Sequence, residues 1–211
     1  MHFDSVSVIE ESYDYKIKIM LIGDTNVGKT SIIKRYCKNQ FSPSFITSVG
    51  VDFESKYFKI GDKMINLQLW DTAGQERYKV LAKNYFNKSD GFIIVYDITD
   101  TKTFYNVTDW IKQINESAPG NVKSVLLGNK SDLKDMRQVN KEEGKELAKK
   151  FNLQFYETSA ANGYNIENVF VDLVKIFLKD YNFLNQRSRA SSQYTDCSKI
   201  SANRNQKKKC C

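Results

Sequence analysis

Ile17-Lys18-Ile19-Met20-Leu21-Ile22-Gly23-Asp24-Thr25-Asn26-Val27-Gly28-Lys29-Thr30-Ser31-Ile32-Ile33 passes from an alternating apolar run through a glycine-bounded loop into a helical pattern. The alternation predicts a strand over Tyr15–Ile22, and the spacing after Gly28 predicts a helix to about Lys38. Between them, Gly23 to Thr30 has the form G-x-x-x-x-G-K-T. A strand, this loop and a helix in succession make a phosphate-binding P-loop. Backbone N–H groups along Gly23, Asp24, Thr25, Asn26, Val27 and Gly28, aided by the positive end of the helix, converge on phosphate oxygens. Lys29 is placed to reach the β- and γ-phosphates, and the Thr30 hydroxyl to ligate magnesium.

Outward from this loop the chain alternates. Residues 39–50 are polar and contain Pro43, and read as a loop. Val51–Ile60 and residues 64–70 read as strands joined at Gly61-Asp62, a β-hairpin. Residues 76–88 are compatible with a helix. Residues 91–96 form an apolar strand, 103–116 a helix with Trp110, Ile111 and Ile114 on one face, and 122–127 another strand. Lys141–Lys150 reads as a polar helix with Leu147 and Ala148 inward, and Gln154–Glu157 as a short strand. A last helix carries Ile166, Val169, Phe170, Leu173, Ile176 and Phe177 on one stripe. Strand and helix in alternation predict an α/β fold. Its sheet is six-stranded and mostly parallel, with one antiparallel strand from the hairpin and helices on both faces. Such sheets bind ligands at the carboxyl ends of their strands, where the P-loop lies.

The 211 residues fit one domain with appendages. Residues 1–14 read as an N-terminal extension and 15–184 as the domain. Residues 185–211 read as a disordered basic tail. The formal charge of +7 raises the question of nucleic acid, but its placement argues against such a partner. From residue 185 onward Arg187, Arg189, Lys199, Arg204, Lys207, Lys208 and Lys209 face only Asp196, so the tail is basic and the body nearly neutral. No apolar run is long enough to cross a membrane as a helix, and the acidic start does not resemble a signal peptide. The cysteines at 37, 197, 210 and 211 have neither metal-binding nor disulfide-framework spacing, which implies a reducing cytosol. Cys37 is expected in the core.

Two further motifs complete a set. Asp71-Thr72-Ala73-Gly74-Gln75 follows a strand end. An aspartate there can hold magnesium, usually through water. Gly74 lets the backbone approach the γ-phosphate, and Gln75 can orient an attacking water. Asn129-Lys130-Ser131-Asp132 follows the strand at 122–127. The Asp132 carboxylate can accept from both the ring N–H and the exocyclic amino group of guanine, a donor pair that adenine lacks. Singly these are common junctions and polar loops. The P-loop, D-x-x-G and N-K-x-D in this order point together to a guanine-nucleotide site, and Asp132 argues against a P-loop kinase.

On these motifs the sequence resembles the small GTPases of the Ras superfamily, and within it the Rab family. Val49-Gly50-Val51-Asp52-Phe53, Asn66-Leu67-Gln68-Leu69-Trp70-Asp71-Thr72, Gln75-Glu76-Arg77-Tyr78 and Val95-Tyr96-Asp97-Ile98-Thr99 carry the resemblance, over about residues 15–180. It implies a GTP/GDP switch in vesicle traffic with slow intrinsic hydrolysis, accelerated by a GTPase-activating protein. Lys29 and Gln75 would be the catalytic residues. It also implies that Ser31 belongs to the nucleotide site, that Phe41 packs edge-on against guanine, and that Ser48 and Asp71 join Thr30 in holding magnesium. Glu157-Thr158-Ser159-Ala160 resembles the base-binding segment, whose backbone N–H meets the guanine 6-oxo group. Phe53, Trp70 and Tyr85 would form an aromatic triad read by effectors.

Lys207-Lys208-Lys209-Cys210-Cys211 looks like a dual prenylation signal. By resemblance it brings an exchange factor, a GDP-dissociation inhibitor and a prenylation escort protein. It also implies a monomer anchored by lipid to the cytoplasmic face of endomembranes or the plasma membrane and cycling with cytosol. Four departures from the family pattern stand out. Ser48 replaces Thr, and Ala161 replaces a Lys whose stem covers the base. Thr25 and Asn26 occupy places where Gly is frequent, and Asn87-Lys88-Ser89-Asp90 replaces Arg-Gly-Ala. Ala161 suggests faster nucleotide release, and Thr25 and Asn26 slower hydrolysis. They leave two alternatives: a GTP-binding scaffold with little or no hydrolysis, and a Ras-like signalling GTPase, against which the Cys-Cys end argues.

Overall fold

The structure is a computed structural model that describes residues 13–43, 51–60, 62–72, 85–118, 120 and 122–179. β1 (Tyr15–Ile22) leads to α1 (Lys29–Lys38). β2 (Val51–Ile60) and β3 (Lys63–Thr72) pair antiparallel, with Phe53 opposite Trp70. β4 (Gly91–Asp97), α2 (Thr101–Tyr105), α3 (Val107–Ser117), β5 (Lys123–Asn129), α4 (Lys141–Lys150) and β6 (Gln154–Glu157) follow, then α5 at 166–179. The six strands form one sheet in the order β2-β3-β1-β4-β5-β6. Every neighbouring pair except β2–β3 is parallel. The P-loop strand is therefore central, and the hairpin strand β2 lies at an edge. The chain divides after Phe170 into two units, and the sheet lies in the first.

Why these residues build this sheet follows from burial. All of β4 is buried, as a parallel strand covered on both faces must be. On one face Met20, Phe92, Ile94, Tyr96 and Leu126 pack with Val107, Ile111 and Ile114 of α3 and Ala148 of α4. Alternation sends Ile19, Leu21, Leu67, Leu69, Ile93 and Val95 to the other face, all buried. There α1 lies against β3, and its Tyr36 stacks on Phe170 at 3.9 Å between ring centroids.

α4 turns Leu147 and Ala148 toward the core as expected, with Gly144 buried beside them. Three expectations need correction. The helix foreseen over 103–116 is broken at Asn106, which ends α2 and begins α3. In α5, Val174 is buried and Ile176 is not. The two sit on opposite borders of the stripe, where a 3.6-residue period does not choose between them. Cys37 is half-buried rather than in the core.

Candidate nucleotide site

The loop after β1 is built on two glycines. Gly23 has φ +137°, and a Cβ there would lie 2.1 Å from the Val95 carbonyl oxygen. Gly28 has φ +97°, and a Cβ there would lie 2.4 Å from Asn129 Nδ2. Between them Asn26 is left-handed, with φ +66°. Asparagine tolerates that conformation better than most residues, so it can stand where glycine is frequent. Lys29 opens α1 and is buried; its ammonium donates to the carbonyl oxygens of Gly23 at 2.8 Å and Asp24 at 2.7 Å. Burial pushes it down to about 8, opposed by the charges of Asp71 and Asp24. Neutral carbonyls hold this cation without cancelling its charge, so the cradle suits an anion such as phosphate.

Beside it the Thr30 hydroxyl donates to Asp71 Oδ2 at 2.6 Å. Asp71 stands at the end of β3 and is buried. Hydroxyl and carboxylate oxygens are donors that magnesium prefers, so Thr30 and Asp71 would fit that ion. Ser31 sits half-buried in the first turn of α1.

The N-K-x-D segment reaches this loop through Asn129, at the end of β5. Its Nδ2 donates to the Val27 carbonyl at 2.8 Å, while its Oδ1 accepts from Thr158 Oγ1 and the Ala160 N–H, both at 3.3 Å. One side chain thus joins the P-loop to the loop after β6. Lys130 is left-handed, with φ +67°, and pairs with the buried Asp97 at 2.6 Å. Ser159 Oγ donates to Asp132 Oδ1 at 2.5 Å. Arg137 forks onto Glu157 at 2.6 and 3.1 Å, anchoring the strand end that precedes Ser159, Ala160 and Ala161. Phe41 is exposed beyond α1.

Sequence reasoning missed several side chains at this site. The Asp24 carboxylate accepts from Asn106 Nδ2 at 2.6 Å and from the Trp110 indole N–H at 2.8 Å, so the P-loop is tied to α3. The available signals were an asparagine inside a helical pattern and an indole N–H that needs an acceptor. Asp97 and Arg35 were also missed; Arg35 carried no signal, because an arginine on a helix is ordinarily a solvated residue. Ser48, Gly74, Gln75, Cys210 and Cys211 lie outside the described residues. At the hairpin, Phe53 stacks on Trp70 at 5.1 Å and Trp70 meets Tyr85 at 5.4 Å, with Phe53 exposed.

Comparison with known proteins decides the family. The Ras family profile matches residues 18–179. Rab-8A of Bos taurus is 43% identical over 165 residues, which covers 78% of this chain and 80% of that protein. Rab-8A of Gallus gallus has the same identity and coverage. Rab-8B of Homo sapiens is 41% identical over 172 residues, covering 82% and 83%.

The chain is a Rab-type small GTPase of the Ras family.

This GTPase binds GTP and GDP, hydrolyses GTP, and acts in vesicle traffic with regulatory and effector partners. The relatives do not favour a scaffold that leaves GTP intact. The fold expected for the family is the one observed, including its single antiparallel strand.

Proposed function

We propose that the cradle around Lys29 is the phosphate end of the GTP site and the loops around Asp132 its base end, within a GTP-binding domain of residues 15–184. What carries this reading is that Asn129 bonds both the P-loop at Val27 and the loop at Ala160, so that Lys29 and Asp132 belong to one continuous site. Asp132 accepts from guanine, and the backbone at Ala160 and Ala161 faces its 6-oxo group. Gly23, Asp24, Thr25, Asn26, Val27, Gly28 and Ser31 enclose the phosphates, with Phe41 and Lys130 against the base. Lys29 neutralises charge that develops between the β- and γ-phosphates, and Gln75 orients the attacking water.

Thr30, Ser48 and Asp71 would hold magnesium, which when bound supplies further charge neutralisation at the phosphates. Ser48 and Gly74 are the contacts through which the γ-phosphate orders two switch segments, residues 45–50 and about 71–86, for effectors at Phe53, Trp70 and Tyr85. Intrinsic turnover is slow, and an arginine supplied by an activating protein adds a factor of ~10³–10⁵. Two lipids on Cys210 and Cys211, beside the Lys207–209 run, anchor the protein to the cytoplasmic face of a membrane, because one chain alone binds marginally. An exchange factor, a GDP-dissociation inhibitor and a prenylation escort protein then serve the cycle. Among the described residues no helix is long and apolar enough to cross a membrane.

The test is single-turnover hydrolysis on the purified chain with magnesium, with and without a Rab-activating protein. Slow, stimulated turnover that Gln75→Leu abolishes is the expected result. Stimulated turnover that survives in Gln75→Leu overturns the assignment of Gln75.

A further inference from the structure

We propose that Arg35, on α1, is a positioning residue for the loop that reads the guanine 6-oxo group. Its Nε donates to the Ala160 carbonyl at 2.8 Å and its Nη2 to the Ala161 carbonyl at 2.6 Å. Its Nη1 reaches Asn39 Oδ1 at 3.0 Å and the Asn39 carbonyl at 3.3 Å, which braces the guanidinium from the end of the same helix. The planar fork therefore grips two successive peptide groups at once, a geometry that a lysine cannot reproduce.

The consequence follows from peptide geometry. In a trans peptide the C=O and N–H point in opposite directions, and no cis bond interrupts the described chain. Drawing the Ala160 carbonyl toward α1 aims the Ala161 N–H away from α1. Ser159 Oγ accepts the Asn162 N–H at 3.2 Å and the Ala160 N–H meets Asn129, so this side of the loop is held at several points. Arg35 sets the plane that those contacts leave to be decided. It also sits on the helix that begins at Lys29, so the phosphate cradle and the base loop are held by one rigid element. Ala161 stands where the family pattern has a lysine, and a methyl side chain does nothing to fix the loop from the base side.

This inference rests on the reading of residues 159–161 as the base-binding loop. The test measures dissociation of GDP and of 6-thioguanosine diphosphate, whose sulfur is a poor hydrogen-bond acceptor at the same position, from the full chain. Arg35→Met keeps the stem without the fork, and Arg35→Lys keeps the charge. Both variants are expected to release GDP about tenfold faster, the factor for one lost hydrogen bond. Release of the thio analogue is expected to change less than about twofold, since one such bond to sulfur contributes little. Equal acceleration of both ligands, or rescue by Arg35→Lys, overturns the proposal and leaves Arg35 a packing residue or a simple charge. A wild-type chain that releases both ligands at the same rate overturns the reading of the base loop itself, and the proposal with it. The melting temperature of each variant in nucleotide-free form separates loss of folding from loss of orientation, because bound GDP would fold its own affinity into the melting point.

Discussion

At the scale of single residues, the site is defined by groups held where they are costly. Lys29 is a buried ammonium whose pKa burial lowers to about 8. In the unfolded chain it returns to an ordinary value near 10.4. Between these values the unfolded state binds more protons than the native one, so this residue makes stability rise with pH through the window. The nucleotide-free chain is therefore expected to gain about 2 kcal/mol between pH 7.5 and 9.5 relative to Lys29→Met. Urea midpoints at the two pH values check this, and parallel changes in both proteins would refute it. Tyr96 is a second such residue. It is fully buried, burial pushes its phenol up, and its hydroxyl has no hydrogen-bond partner among the described residues. The oxygen fits against Gly128 and Gly144, whose added Cβ atoms would lie 2.7 and 2.5 Å from it. Tyr96→Phe is expected to stabilise the fold by about 1 kcal/mol, because it removes a desolvated hydroxyl that gains no bond. A loss of stability in denaturant titration would show that the hydroxyl is satisfied.

At the scale of elements, the break between α2 and α3 has a use. Asn106 ends one helix and starts the next, and from that corner its amide reaches Asp24 alongside the Trp110 indole. The P-loop carboxylate is thus committed to α3, while its backbone carbonyl supports Lys29. Hydrogen bonds to a charged acceptor contribute about 1.5–3 kcal/mol. Trp110→Phe keeps the ring and removes the donor, so it is expected to lower folding stability by about 1.5–3 kcal/mol and to speed GDP release several-fold. Stopped-flow displacement of a fluorescent GDP measures this; an unchanged rate would reduce the contact to packing. The periodicity of 103–116 shows an apolar face but not this corner. The bond that Asn106 makes at that corner reaches a residue some eighty positions earlier, so it has no local signature.

At the scale of the whole molecule, the proposed lipid anchor at Cys210 and Cys211 would join the nucleotide switch to a membrane. Replacing Cys210 and Cys211 with Ser is expected to leave GDP affinity unchanged. Membrane binding should fall to background in flotation with anionic vesicles after prenylation in a cell extract, since the basic run alone contributes only about 1 kcal/mol per lysine. Undiminished flotation of the double variant would remove lipid from the account.

The strand-and-helix alternation, the P-loop and the N-K-x-D segment were all legible along the chain, because each depends on local periodicity or on a loop whose bonds are made by its own backbone. Those features determined the fold class and pointed to the strand that bears the proposed site. Only the tertiary structure decided how the loops are held together. Asn129 bonds Val27, Asp24 bonds Trp110, Lys130 bonds Asp97 and Arg35 bonds Ala160, and each joins segments remote in sequence. The physical reason is that a hydrogen bond requires two groups within about 3 Å in the right orientation. A sequence specifies the groups, but only packing of the sheet and its helices brings them to that distance.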